Sequence, residues 1–185
     1  MGKITTVKVW DPFVRLFHWT LVATFAICYF TQHQYYELHL QVGYAVLAAI
    51  VLRICWGFVG THYARFRDFI YSPKRVVAYL KTVMRGTPTR YLGHNPAGGA
   101  MILLLLLGCV VIGISGIALD GAENRAGLLA EFPVYQYLDS IRLLHRLSTY
   151  VTLALVFLHV AGVIIESRIH RENLVTAMIT GRKRS

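Results

Sequence analysis

Apolar and polar positions alternate along the chain in long blocks rather than residue by residue. Four apolar blocks stand out, at residues 13–30, 39–60, 97–119 and 141–165. Helices of such lengths rise about 27–37 Å, against about 30 Å of bilayer hydrocarbon. The first block is longer than the apolar core of a removable leader, and no small-residue cleavage pattern follows it, so it reads as a span. Polar turns at 31–37 and 120–140 join the spans in pairs, and a longer segment, 61–96, connects the two pairs.

That longer segment has its own pattern. Ser72 and Pro73 read as an N-cap and first helical residue. Val76, Val77, Leu80, Val83 and Met84 then recur at helical spacing, Lys74, Arg75, Lys81 and Arg85 fall off that face, and Gly86 marks an end. This predicts an amphipathic helix lying on a membrane surface. Residues 172–181 repeat the pattern with Leu174, Val175, Met178 and Ile179. Asn95 and Pro96 read as the cap and first residue of the third span. The expected fold is all-α, a four-helix membrane bundle with one amphipathic surface helix, in a single domain over residues 1–185.

Composition agrees: 56% of the 185 residues are hydrophobic, which is high for a soluble domain. Lys and Arg number 19 against 9 acidic residues. In a soluble protein that balance would point to nucleic acid, but here it is zoned. Residues 1–15, 61–96 and 167–185 hold 15 of the 19 basic residues, whereas the opposite loop regions, 31–38 and 120–142, hold only Arg125 and Arg142. By the positive-inside rule both termini and the long loop are cytoplasmic, and no nucleic-acid partner is expected. The opposite loops carry Glu37, Asp120, Glu123, Glu131 and Asp139, for a net charge of −3. The three cysteines lie inside apolar runs and no CxxCH is present, which disfavours a disulfide framework and excludes a c-type haem attachment of that form.

Histidines supply the candidate chemistry. His145 and His159 are 14 residues apart in span four, so they project from one helix face about 21 Å apart along the axis. His18 lies in the first turns of span one and His39 opens span two. The alternating direction of the spans sorts these four into two pairs of matched depth, His18 with His159 near the inner surface and His39 with His145 near the outer. Intramembrane imidazoles are costly unless they face the protein interior and have partners. Two facing imidazoles suit the axial positions of a haem iron and leave no open site for oxygen, as electron transfer requires. A zinc site would need more ligands at one point, and single histidines bonding a neighbouring helix are the structural alternative. Gly43, Gly108, Gly113, Gly116 and Gly162 would let a flat cofactor approach a helix backbone; close helix packing is their other reading. Arg53, Arg15 and Arg146 are candidate partners for haem propionates, or else ordinary interfacial charges. His33, His62 and His170 lie in loops and receive no ligand role.

The ordered set WDPFVRLFHW with His18, His39 at the start of span two, RICWG at 53–57, GHNPAGG at 93–99 and the histidine pair of span four resembles the bacterial cytochrome b561 family. Its relatives include the b-type cytochrome subunits of nickel–iron hydrogenases and formate dehydrogenases. The resemblance covers nearly the whole chain. It implies a four-helix bundle with two b haems in the bacterial inner membrane. It also implies electron exchange between a membrane quinone, ubiquinone or menaquinone, and a periplasmic redox partner such as a c-type cytochrome. By the same resemblance, the loop before span three places His94, Asn95 and Gly98 beside a quinone carbonyl, with His94 able to relay a proton. An alternative within the family is a stand-alone superoxide:quinone oxidoreductase acting at the outer haem. The acidic outer loops favour a basic protein partner over an anion. Monomer and homodimer both remain open.

Overall fold

The long apolar blocks become helices because helix formation satisfies every backbone polar group within the segment, as lipid demands. The computed structural model describes residues 5–185; Lys3, counted above among the basic residues, lies outside them. A short strand β1 (Thr6–Lys8) leads into α1 (Pro12–Thr31) and α2 (Tyr36–Val59). After a 3-10 turn at His62–Ala64 come α3 (Phe66–Phe69), α4 (Pro73–Met84) and α5 (Pro96–Glu123). Further 3-10 turns at Gly127–Leu129 and Pro133–Tyr137 precede α6 (Leu138–Ile169), α7 (Leu174–Thr180) and β2 (Arg182–Arg184). Four of these helices, α1, α2, α5 and α6, have the length and composition to cross a membrane. The protein is an all-α membrane bundle, and each expected span is found within a few residues of its predicted limits.

The chain clusters into two compact units. Among the described residues, the first comprises 5–19, 52–104 and 157–185. Here α1 starts at a cap: Asp11 Oδ1 accepts from the Val14 backbone N–H at 2.9 Å, ahead of Pro12 at the first helical position. Its Oδ2 accepts from Trp56 Nε1 at 3.1 Å and from the Thr61 hydroxyl. Burial alone would raise the pKa of this carboxyl, but these hydrogen bonds outweigh it and hold it below the ordinary carboxylate value. Helix α4 turns Tyr79 inward and leaves Val77, Leu80 and Met84 exposed on one stripe. That stripe, flanked by Lys74, Arg75 and Lys81, is the face an interfacial helix presents to lipid.

The termini depart from the expected basic tail. β1 pairs antiparallel with β2, Thr6 opposite Arg184 and Lys8 opposite Arg182. Ala177 of α7 is buried against Val9 and Trp10, with Tyr63 and Met178 packed beside them. Gly181 makes this turn in the left-handed conformation at φ +79°, where an added Cβ would press on the Trp10 carbonyl. The apolar face of 172–181 therefore packs partly on protein.

The second unit comprises residues 20–51 and 105–156. Small residues let its helices approach. A Cβ on Gly108 would strike Thr152, which is wholly buried, and one on Gly113 would strike Leu47. Leu107, Tyr150, Val51 and Phe30 are exposed, as side chains facing lipid are. In lipid such close backbone contact replaces the hydrophobic drive that packs soluble helices.

Candidate haem-binding sites

Each unit brings one histidine pair together. In the first, the rings of His18 on α1 and His159 on α6 have centroids 6.5 Å apart and planes inclined at 53°. In the second, His39 on α2 and His145 on α6 are 6.3 Å apart at 79°. A metal–imidazole bond is about 2 Å and the ligating nitrogen sits about 1 Å from its ring centre, so two rings on one ion stand about 6 Å apart. Both pairs meet that spacing. Among the described residues no group of three or more His, Cys, Asp or Glu side chains could hold an ion. The donor set is two imidazoles per site, which suits a metal whose remaining ligands belong to a macrocycle.

Hydrogen bonds fix the rings of the second pair. His39 Nδ1 lies 2.8 Å from the Cys28 carbonyl oxygen. His145 Nδ1 lies 3.1 Å from the Ile112 carbonyl and 3.1 Å from Ser115 Oγ. A carbonyl accepts from Nδ1–H, which leaves Nε2 unprotonated and free to ligate, the arrangement metal-bound histidines commonly show. Neither Cys28 nor Ile112 was legible as a partner, because a backbone carbonyl belongs to every residue. In the first unit His18 Nδ1 is buried without a partner.

Space for a flat group is present beside the ligands. A Cβ built on Gly43, one turn from His39, meets nothing within 4 Å, and neither does one on Gly162, three residues from His159. Gly108 instead packs against Thr152, and a Cβ added to Gly116 would stand 3.2 Å from His145 Cε1. Orphaned cationic donors accompany the first pair. Arg53 is buried; its Nη2 donates to the Ala64 carbonyl at 3.1 Å while Nη1 has no partner. Arg15 Nε is likewise buried and unpartnered. Unmatched buried guanidinium groups fit a carboxylate-bearing cofactor, since leaving them unpaired is expensive. Arg146 is exposed on α6.

The loop before α5 forms a third cluster in the first unit. Asn95 Oδ1 accepts from the Gly98 backbone N–H at 2.7 Å, closing the predicted cap. His94 lies between two aromatic rings, 4.4 Å from Trp10 and 4.9 Å from Phe69. Its carbonyl accepts from the Tyr71 hydroxyl at 3.3 Å, and its Nδ1 is buried without a partner. Burial, and then the cations Arg53 and Lys183, push its pKa down to about 3.

Paired imidazoles on membrane helices, open glycines and unmatched arginines define a membrane cytochrome of the b type. The family model for prokaryotic cytochrome b561 matches residues 9–181, and the chain belongs to that family. Among similar proteins are probable Ni/Fe-hydrogenase B-type cytochrome subunits. That of Azotobacter vinelandii is 25% identical over 97% of this chain and 89% of its own. Those of Rhizobium leguminosarum bv. viciae (26%, over 79% of this chain and 67% of its own) and Escherichia coli K12 (24%, over 94% and 88%) follow the same pattern. No solved structure matches the chain. The protein is a bacterial membrane b-type cytochrome that works in electron transfer.

Proposed function

We propose that the chain carries electrons across the bacterial inner membrane through two b haems, between the quinone pool and a redox protein on the side opposite its termini. The observation that carries this reading is the pair of facing-imidazole sites, one in each unit, each at the spacing of two rings on one metal. His18 and His159 would hold one haem, His39 and His145 the other, with Arg53 and Arg15 toward propionates of the first. Arg146 and Gly43 complete the haem environment, whereas Gly108 serves the packing of α5 on Thr152. Bound there, haem supplies a reversible one-electron couple without an open coordination position.

The protein's residues do the rest. The Cys28 and Ile112 carbonyls set the tautomers of His39 and His145. Apolar side chains from Val151 to Leu158, broken only by the buried Thr152, exclude water from the stretch of α6 between its two ligands, which limits reorganisation when charge moves. His94, Asn95 and Gly98 receive the quinone headgroup. The buried Nδ1 of His94 is the free polar atom there, and its low pKa keeps the ring neutral, a hydrogen-bonding partner for the headgroup rather than a base.

The partner is a protein that presents a basic face. Glu37, Glu131 and Asp139 are exposed. Arg142 is tied to Glu123 at 2.9 Å and to Asp139 at 3.6 Å, and Arg125 lies over the Tyr135 ring at 4.7 Å. Those engaged arginines make a poor funnel for superoxide, so the stand-alone oxidase reading is second. The relatives are named as hydrogenase subunits, which favours a catalytic redox subunit or a c-type cytochrome as partner. Haem counting with an optical spectrum on purified protein tests the proposal. Two b haems per chain are expected; a colourless protein or a single haem overturns it.

A further inference from the structure

A line of buried polar groups leaves the Asn95 cluster and ends at the surface of the first unit. The hydroxyl of Tyr79, a buried residue of α4, donates to Glu166 Oε1 on α6 at 2.8 Å. The Asn95 side chain stands beside the same hydroxyl. The other carboxylate oxygen, Glu166 Oε2, is 3.1 Å from His170 Nε2, a close approach without the alignment of a hydrogen bond. Glu166 and His170 are 14% and 15% exposed, so the line runs from protein interior to the edge of solvent. Tyr79, Thr89, Tyr91 and Pro96 also line a cavity of about 270 Å³ that opens past Arg75 and Thr82. It has room for several waters and enough polar atoms to hold them.

None of these residues has a part in holding haem. A carboxylate placed seven residues beyond His159 at the end of an apolar span is expensive unless it is paired or functional. Tying α4 to α6 would need only the Tyr79 bond; it would not need a titratable imidazole on the second oxygen. We propose that Tyr79, Glu166 and His170 form a proton relay between the quinone headgroup and the aqueous surface. The inference rests on the quinone reading of His94 and Asn95.

Oxidation of one quinol to quinone releases two electrons and two protons. The two b haems of the proposed function, when bound, would supply the one-electron acceptors for them, one electron each. The protons must leave an enclosed site. Each moves from the site, through water or the Tyr79 hydroxyl, onto Glu166, and from there to His170 and solvent; quinone reduction runs the same line backward. Burial, then the adjacent carboxylate, raise the Tyr79 pKa, so the phenol stays protonated and passes protons by exchange rather than by ionising. Facing the carboxylate are Tyr79 from α4, His170 in the turn that follows α6, and Lys183 of β2, whose charge reaches both Glu166 and His94.

The test uses the full chain with its haems. Glu166→Gln and Tyr79→Phe should keep the haem spectrum and bind a quinone analogue within about twofold of the parent. Haem reduction by quinol should slow at least tenfold in Glu166→Gln, while reduction by a one-electron donor that releases no proton stays unchanged. Glu166→Asp should restore most of the rate, and added imidazole should accelerate His170→Asn, a surface change that serves as the test if Glu166→Gln fails to fold. If the relay variants react like the parent while His94→Gln or Asn95→Ala is slow, the relay is overturned and the quinone site stands. If none of them is slow, the quinone reading fails and the relay with it.

Discussion

On the proposed reading, replacing any one of the four paired histidines would remove one of the two axial donors at its site. His39→Leu and His145→Leu should therefore give the same spectrum, with one haem lost, and His18→Leu and His159→Leu should share the complementary loss. Haem counting on the four variants checks this, and cross-matched losses would sink the pairing. His94 behaves differently because its burial is felt as pH dependence. Its folded pKa, about 3, lies below the ordinary histidine value of 6.5. Below pH 6.5 the unfolded chain binds a proton that the folded one refuses, so stability falls as pH drops from 6.5 toward 3, by up to about 1.4 kcal/mol per unit. Asp11 and Glu172, whose pKa values are lowered, add to the loss at the acid end. His94→Gln should flatten the melting temperature between pH 6.5 and 4.5. An unchanged slope would mean that the ring is not held neutral.

At the scale of elements, the C-terminal strand and α7 anchor the loop that carries His94. Glu172 is bonded to Arg90 at 3.0 Å and lies 3.8 Å from the buried Lys183, whose Nζ donates to the Tyr91 carbonyl at 3.0 Å. Glu172→Gln takes the paired carboxylate from Arg90 and the nearer one from Lys183 and should cost about 3 kcal/mol, read as a lower melting temperature and faster proteolysis of the C-terminus. The spans themselves were legible because length and apolarity alone decide them. The helix ends at Ser72, Gly86 and Asn95 were legible because their residue types suit those positions, although the Ser72 side chain makes no capping hydrogen bond. The β1–β2 pair was not, since three residues of strand at each end of the chain leave no period to read. Asp11 had a signal, an Asp directly before Pro at a helix start. Glu166 and Tyr79 had none, because their bond joins residues 87 positions apart.

For the whole molecule, the sequence fixes a direction and α6 fixes a distance. On the proposed reading, the basic segments at 61–96 and 167–185 put the termini on the cytoplasmic side, with His18 and His159 toward that surface and His39 and His145 toward the other. Helix α6 runs from Leu138 to Ile169, and the 14 residues from His145 to His159 correspond to a helical rise of about 21 Å. Moving an electron between the two sites therefore displaces charge through part of the membrane field, where a full crossing corresponds to about 2.3 kcal/mol per 100 mV. The sites also differ in their surroundings: buried Arg53 and Arg15 accompany one pair, whereas two backbone carbonyls bond the imidazoles of the other. Cations favour the reduced state, and a carbonyl that strengthens imidazole basicity favours the oxidised state. The His18–His159 haem should then have the higher potential in the absence of a field. Redox titration of sealed vesicles, first relaxed and then energised with the interior negative, should resolve two steps whose separation changes with the imposed voltage. A separation that ignores the voltage would place both sites at one membrane surface and overturn the four-span arrangement.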